Sequence, residues 1–148
     1  MIIGLDVMGG DYAPGAVLEG ALDAIEHLSP GEKIVLVGDE SQILSKLQSE
    51  GVDHSVFDIL PSTEVIEMGE HPAKSFALKK NSSISVGFRK LKSGGMQGFC
   101  SAGNTGAMLV GASYTVNVIP GIFRPALATR LPSTDNRQSV ILDVGLNP

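Results

Sequence analysis

Cysteine occurs once in the 148 residues, at Cys100, so an intrachain disulfide is excluded and there are too few thiols for a thiolate metal cluster. Tryptophan is absent, and five Phe with two Tyr offer little surface on which nucleic-acid bases stack. Apolar runs such as Ala107 to Val110 or Gly121 to Phe123 stop well short of the roughly 18 residues that span a bilayer. The N-terminus opens directly on Ile2-Ile3-Gly4-Leu5-Asp6-Val7, without the charged head and long apolar stretch of a signal peptide, so a cytoplasmic location is expected. Most informative is a lack of acid. From His71 to Thr134 there is no Asp or Glu, against eight cations: Lys74, Lys79, Lys80, Arg89, Lys90, Lys92, Arg124 and Arg130. All sixteen acids lie in the flanks beside only Lys33, Lys46 and Arg137, so a chain of net charge −5 contains one cationic zone. Such a zone suits a small anion or an acidic partner.

What is present reads as one α/β domain, residues 1–148. Hydrophobic residues make up 43% and charged residues 18%, enough apolar material for one soluble core. Short β-branched runs alternate with helix-period segments, the pattern of βαβ units around a mostly parallel sheet. Strands are expected at 2–7, 33–37, 55–60, 97–101 and 139–144. Helices are expected from Pro14 to about Leu28, from Glu40 to Ser49, from Pro72 to Lys79, from Ser83 to Lys92 and from Ala107 to about Val118, with 61–73 a loop. The chain stops just after an apolar strand that would feed another crossover, so it is expected to be the N-terminal part of a longer protein.

Three strand-to-turn junctions stand out: Asp6-Val7-Met8-Gly9-Gly10-Asp11, Ser101-Ala102-Gly103-Asn104-Thr105-Gly106-Ala107, and Asp143-Val144-Gly145-Leu146-Asn147. In open α/β sheets, loops at the carboxyl ends of strands form the ligand crevice, and glycines there let backbone N–H groups approach an anion. Two familiar phosphate motifs fail. Gly10 and Gly15 have the outer spacing of a P-loop, but Ala16 and Val17 stand where Lys and Ser or Thr must hold phosphate and metal. No G-x-G-x-x-G follows a strand, and Asp39 with Gln42 reads as a helix cap with its capping partner rather than a ribose ligand. Lys79-Lys80-Asn81-Ser82-Ser83 is a second basic element, with Asn81 or Ser82 the expected cap of the next helix. Arg124, beside Pro125, offers a guanidinium to phosphate. Cys100 lacks an evident activating histidine and is expected as a buried structural thiol. His27 and His54 are expected to be structural, and Glu67 with His71 matches no recognised metal-ligand pattern, so no metal site is expected.

In these same segments the chain resembles the phosphate acyltransferases of bacterial phospholipid synthesis. The likeness runs through 5–14, Val37-Gly38-Asp39, 79–83, 101–107, 119–126 and 142–147, nearly the whole length. It implies a three-layer α/β/α sandwich with a mostly parallel sheet, related to phosphotransacetylase and isopropylmalate dehydrogenase folds. It also implies a reaction: inorganic phosphate attacks the thioester of an acyl-carrier protein to give acyl-phosphate, with no cofactor. A homodimer is implied, and peripheral membrane association is compatible with it. Tyr12 stands where a histidine is frequent and Leu146 where an alanine is. Ala77 stands where many members carry arginine, which would leave that charge to Lys74 or Lys79.

The expected catalytic residues are Asn104, Lys79 and Arg124. Substrate and phosphate binding is expected from Asp6, Gly9, Gly10, Asp11, Ser82, Ser83, Ser101, Gly103, Thr105, Gly106, Asp143 and Asn147. Arg89 and Lys90 are expected to steer the acidic carrier protein. The alternative is a non-catalytic module that binds a phospholigand or nucleic acid through the same basic stretch, and a dehydrogenase half is disfavoured by the missing cofactor fingerprint.

Overall fold

The computed structural model describes residues 1–123, 125–132 and 139–144. Four parallel strands, β1 (Ile2–Asp6), β2 (Lys33–Gly38), β3 (Asp58–Pro61) and β4 (Gly98–Cys100), form one sheet in the order β3-β2-β1-β4. β2 reads Ile-Val-Leu-Val-Gly without polar alternation because its last four residues are buried, as befits a strand covered on both faces.

The covering helices make three layers. On one face α1 (Gly15–Ile25) and α2 (Glu40–Ser49) place Leu18, Ala21, Ile43 and Leu47 against Val7, Leu36 and Phe57. On the other, α4 (Ser83–Lys92) and α5 (Thr105–Gly111) bring Ile84, Phe88 and Ala107 together with Ile66, and Phe76 of α3 (Pro72–Leu78) packs on that cluster. Gly87 has no side chain because the Phe99 ring lies where a Cβ would be. Phe99 in turn meets Phe88 edge to face with ring centroids 5.4 Å apart.

Local signals fixed most boundaries. Asp39 caps α2, accepting from the Ser41 and Gln42 amides at 2.9 and 3.1 Å, while the Gln42 side chain returns to its other oxygen. These bonds, the Ser41 hydroxyl first, hold the Asp39 carboxyl at about 2. Ser82 caps α4 through the Ser85 amide. Residues 62–71 form the expected loop, a strap lying over α4 and α5.

Four details differ from the sequence expectation. Pro14 precedes α1 as its cap instead of opening it. Residues His54–Val56 form a 3-10 turn and β3 starts only at Asp58. The helix after the glycine-rich loop ends early, α5 passing into a π-helical turn, Ala112–Val116. Finally, Ser139–Leu142 (β6) is a strand, but it pairs antiparallel with β5 (Ala128–Leu131), unforeseen from the sequence, and all eight residues are exposed. An apolar run specifies extended backbone without specifying its neighbour. Among the described residues no helix is long and apolar enough to cross a membrane.

Candidate functional site

The strand order turns at β1, which has β2 on one side and β4 on the other, so the sheet's switch point lies between β1 and β4. Ligands enter open α/β sheets at such a point, outside the carboxyl ends of the strands. The two loops leaving those ends, 7–14 and 101–104, meet there. A Cβ on Gly9 would sit 2.7 Å from the Gly103 amide nitrogen, from Ser101 Oγ and from Asp6 Oδ2. Only glycine lets the chains approach so closely. Gly10 adopts φ +110° against Ala102, a conformation that also favours glycine.

Asp6 is the centre of this junction. Its carboxylate, 1% exposed, accepts the Ser101 hydroxyl at 2.6 Å and the Met8 amide at 3.0 Å. Ser101 Oγ accepts the Gly103 amide at 3.0 Å, so the β4 loop is bound to the β1 loop through a hydroxyl relay. Burial raises the Asp6 pKa above its ordinary value, and hydrogen bonds from Ser101, Ser83, Met8 and Gly9 oppose that rise. The anion in this nest is the protein's own carboxylate. Asp6, Gly9, Ser83, Ser101 and Gly103 are thus brought together as expected, but their donors turn inward. They build the junction, and the rims of the two loops face outward from it.

The rim is formed by Asp11, exposed at the tip of the first loop, and by Thr105 and Gly106 at the start of α5. The first amides of a helix have no intrahelical acceptor, so those of Thr105 and Gly106 remain for solvent or ligand. Gly106 packs against Pro72, whose ring atom lies 2.4 Å from where a Cβ would stand, so no larger residue fits. Gly106, His71 and Asp143 line one cavity of about 610 Å³ beside this rim. Asp143, with φ +59°, is thus placed beside Gly106, while Arg124 and Asn147 lie outside the described residues.

Three expected participants have other work in the structure. Asn104 is 4% exposed and caps α5 through the Ala107 amide at 2.9 Å. Its Nδ2 lies 2.9, 3.3 and 3.1 Å from the carbonyls of Glu67, Met68 and Glu70. With both ends engaged it is a positioning residue that fastens the strap to the glycine loop. Lys79 donates to the Val65 carbonyl at 2.7 Å and forms an ion pair with Glu70. That pair, then the Ser75 hydroxyl, holds Glu70 at about 2. Ser82 is fully buried within the α4 cap. Cys100, expected buried, is exposed because β4 is the sheet's edge strand. The sequence signal for Asn104 was its place just ahead of an apolar helix run. Nothing in spacing marked Glu70, nine residues from Lys79. Ser62, following β3 at the opposite edge of the sheet, buries a hydroxyl without a protein partner among the described residues, and was not foreseen.

Fold and crevice define a doubly wound parallel α/β protein with glycine loops joined at the switch point. The family model described as "Fatty acid synthesis protein" matches residues 1–147, and the chain belongs to that family. It is 44% identical over 147 residues to a protein of Dictyoglomus turgidum named "Phosphate acyltransferase", covering 99% of this chain and 43% of that one. The Magnetococcus marinus protein of the same name is 41% identical over 145 residues, covering 98% of this chain and 41% of its own. That of Acetivibrio thermocellus is 41% identical over 147 residues, with 99% and 43% covered. The chain spans about two fifths of the length of these curated relatives.

Proposed function

We propose that this chain forms the phosphate-facing part of an acyltransferase that moves a fatty acyl group from an acyl-carrier-protein thioester to inorganic phosphate. The observation that carries the reading is the meeting of the β1 and β4 loops at the switch point, the β4 loop belonging to the stretch from His71 to Thr134 that holds eight cations and no acid. The names of the relatives support the chemistry. A phosphate oxygen attacks the thioester carbonyl carbon, the tetrahedral oxyanion collapses, and the C–S bond breaks to give acyl-phosphate and the carrier thiol. Phosphate is already ionised near neutral pH, so the protein's tasks are to hold that anion against the thioester carbonyl, offset part of its charge and stabilise the oxyanion.

The buried Asp6 junction fixes the loop rims rigidly. The amides of Thr105 and Gly106 and the Thr105 hydroxyl donate towards the phosphate or oxyanion. With Lys79 engaged by Glu70, the cationic share falls to Lys74, exposed in the first turn of α3, and to Arg124. Incubating the intact protein with phosphate and a palmitoyl-carrier thioester is expected to yield acyl-phosphate, read by mass spectrometry. Thioester consumed without acyl-phosphate, or not consumed at all, would overturn the reading.

A further inference from the structure

His71 opens the acid-free stretch and borders the cavity that also holds Gly106 and Asp143. It ends the strap and caps α3, its ring Nδ1 accepting the Lys74 amide at 3.5 Å while its carbonyl accepts the Ser75 amide at 2.9 Å. A ring nitrogen that accepts carries no proton, so in the neutral imidazole the proton is on Nε2. The cap thus sets the tautomer. His71 is exposed, and among the described residues Nε2–H has no protein acceptor within hydrogen-bond distance. Its place is fixed from two sides. Pro72 stands so close to Gly106 that a Cβ there would lie 2.4 Å from the ring, which wedges the start of α3 against the start of α5. On the strap side, Asn104 Nδ2 donates to the carbonyl of the preceding Glu70 at 3.1 Å. The Glu70 carboxylate itself is turned to Lys79, and α5 carries no ionisable side chain. Asp143 is the carboxylate that remains on this cavity among the described residues.

We propose that His71 is a further substrate-binding residue, a neutral imidazole that donates Nε2–H to an oxygen of the attacking phosphate. The proposal rests on the acyl-transfer reading given above. Neutrality suits the task. An imidazolium could pass its proton to the phosphate and blunt the nucleophile, whereas a neutral N–H orients one oxygen and leaves the others their electron pairs. Nδ1 accepts the Lys74 amide only while the ring is neutral, so the bond that caps α3 and the bond that holds phosphate require the same state of one side chain.

The test is titration of the intact protein with inorganic phosphate at about pH 8, above the ordinary imidazole range, read in long-range ¹H–¹⁵N spectra of the imidazoles. His71 is expected to carry its proton on Nε2 before phosphate is added, and Nε2 is expected to shift as phosphate binds. His71→Asn, which also assigns the resonances, keeps a capping oxygen for the Lys74 amide and removes the donor. It is expected to raise both the dissociation constant and KM for phosphate about tenfold, with kcat nearly unchanged and amide exchange in α3 as slow as before. A proton on Nδ1, or an Nε2 that saturating phosphate leaves unmoved, would overturn the proposal whatever the variant does to folding. An Nε2 that responds to Asp143→Asn but not to phosphate would do the same, by giving the donor to that carboxylate. Phosphate that shifts the Gly103 and Gly106 amides without reaching the His71 ring removes His71 alone and leaves the transfer reading standing. Phosphate that shifts nothing removes both.

Discussion

Asp6 shows how one side chain can organise a crevice without facing its ligand. A carboxylate is used where a neutral acceptor would not suffice, because hydroxyls of Ser101 and Ser83 and amides of Met8 and Gly9 all donate to it. Its folded pKa lies above the unfolded 3.8, so the native state holds the proton more readily than the unfolded chain does. The sign follows: its contribution is most favourable below pH 3.8, and stability falls as pH rises from 3.8 through the folded value, then stays level. Asp6→Asn is expected to abolish that sloping interval in denaturant melts taken across pH. It also turns an NH₂ group towards donors, which costs about 1–3 kcal/mol at neutral pH. Carboxyl carbon shifts provide the direct measurement, and an Asp6 resonance titrating at or below 3.8 would refute the assignment. Asp6 was legible in the sequence only as one end of a glycine turn, since burial and the Ser101 partner 95 residues away are tertiary facts.

At the level of elements, the strap of residues 62–71 is fastened at three places: Asn81 to Glu64, Lys79 to Glu70 and Val65, and Asn104 to the carbonyls of 67, 68 and 70. Asn104→Ala removes an α5 cap and the strap's anchor together, with an expected stability loss of about 1–2 kcal/mol. Asn104→Asp keeps the acceptor for Ala107 and loses the donors, so amide exchange should quicken in 66–70 while α5 stays protected. Equal exchange in both segments would contradict the two-ended role. Helices with a capping residue and a clear apolar stripe, α2 and α4, were readable to the residue because both signals are local. The β5 and β6 pairing was not, because strand partners are chosen by contacts distant in sequence. The strap gave no periodic signal at all, being held by the Lys79 and Asn104 side chains and the Asn81 amide, from two segments distant in sequence.

Across the whole molecule, the acid-free stretch seen in the sequence does not act as one patch. Lys79 is neutralised by Glu70, whereas Arg89, Lys90 and Lys92 stand exposed in the last turn of α4, where cations also complement the helix dipole. The net charge of −5 would repel the acidic carrier protein proposed as acyl donor, so within that proposal this turn is the place for it to dock. Arg89 also donates to the Lys80 carbonyl, and the Lys90 stem lies over Gly95, which fixes both cations at the end of the helix. Such rim charges govern encounter more than chemistry. Reversing both, Arg89→Glu with Lys90→Glu, is therefore expected to raise KM for the carrier thioester roughly tenfold at low salt, to leave kcat unchanged, and to weaken the dependence of KM on salt. Neutral Arg89→Gln with Lys90→Gln should fall between the two. If steady-state kinetics across ionic strength give the same KM for all three proteins, the carrier docks elsewhere and the cations of α4 serve the helix alone.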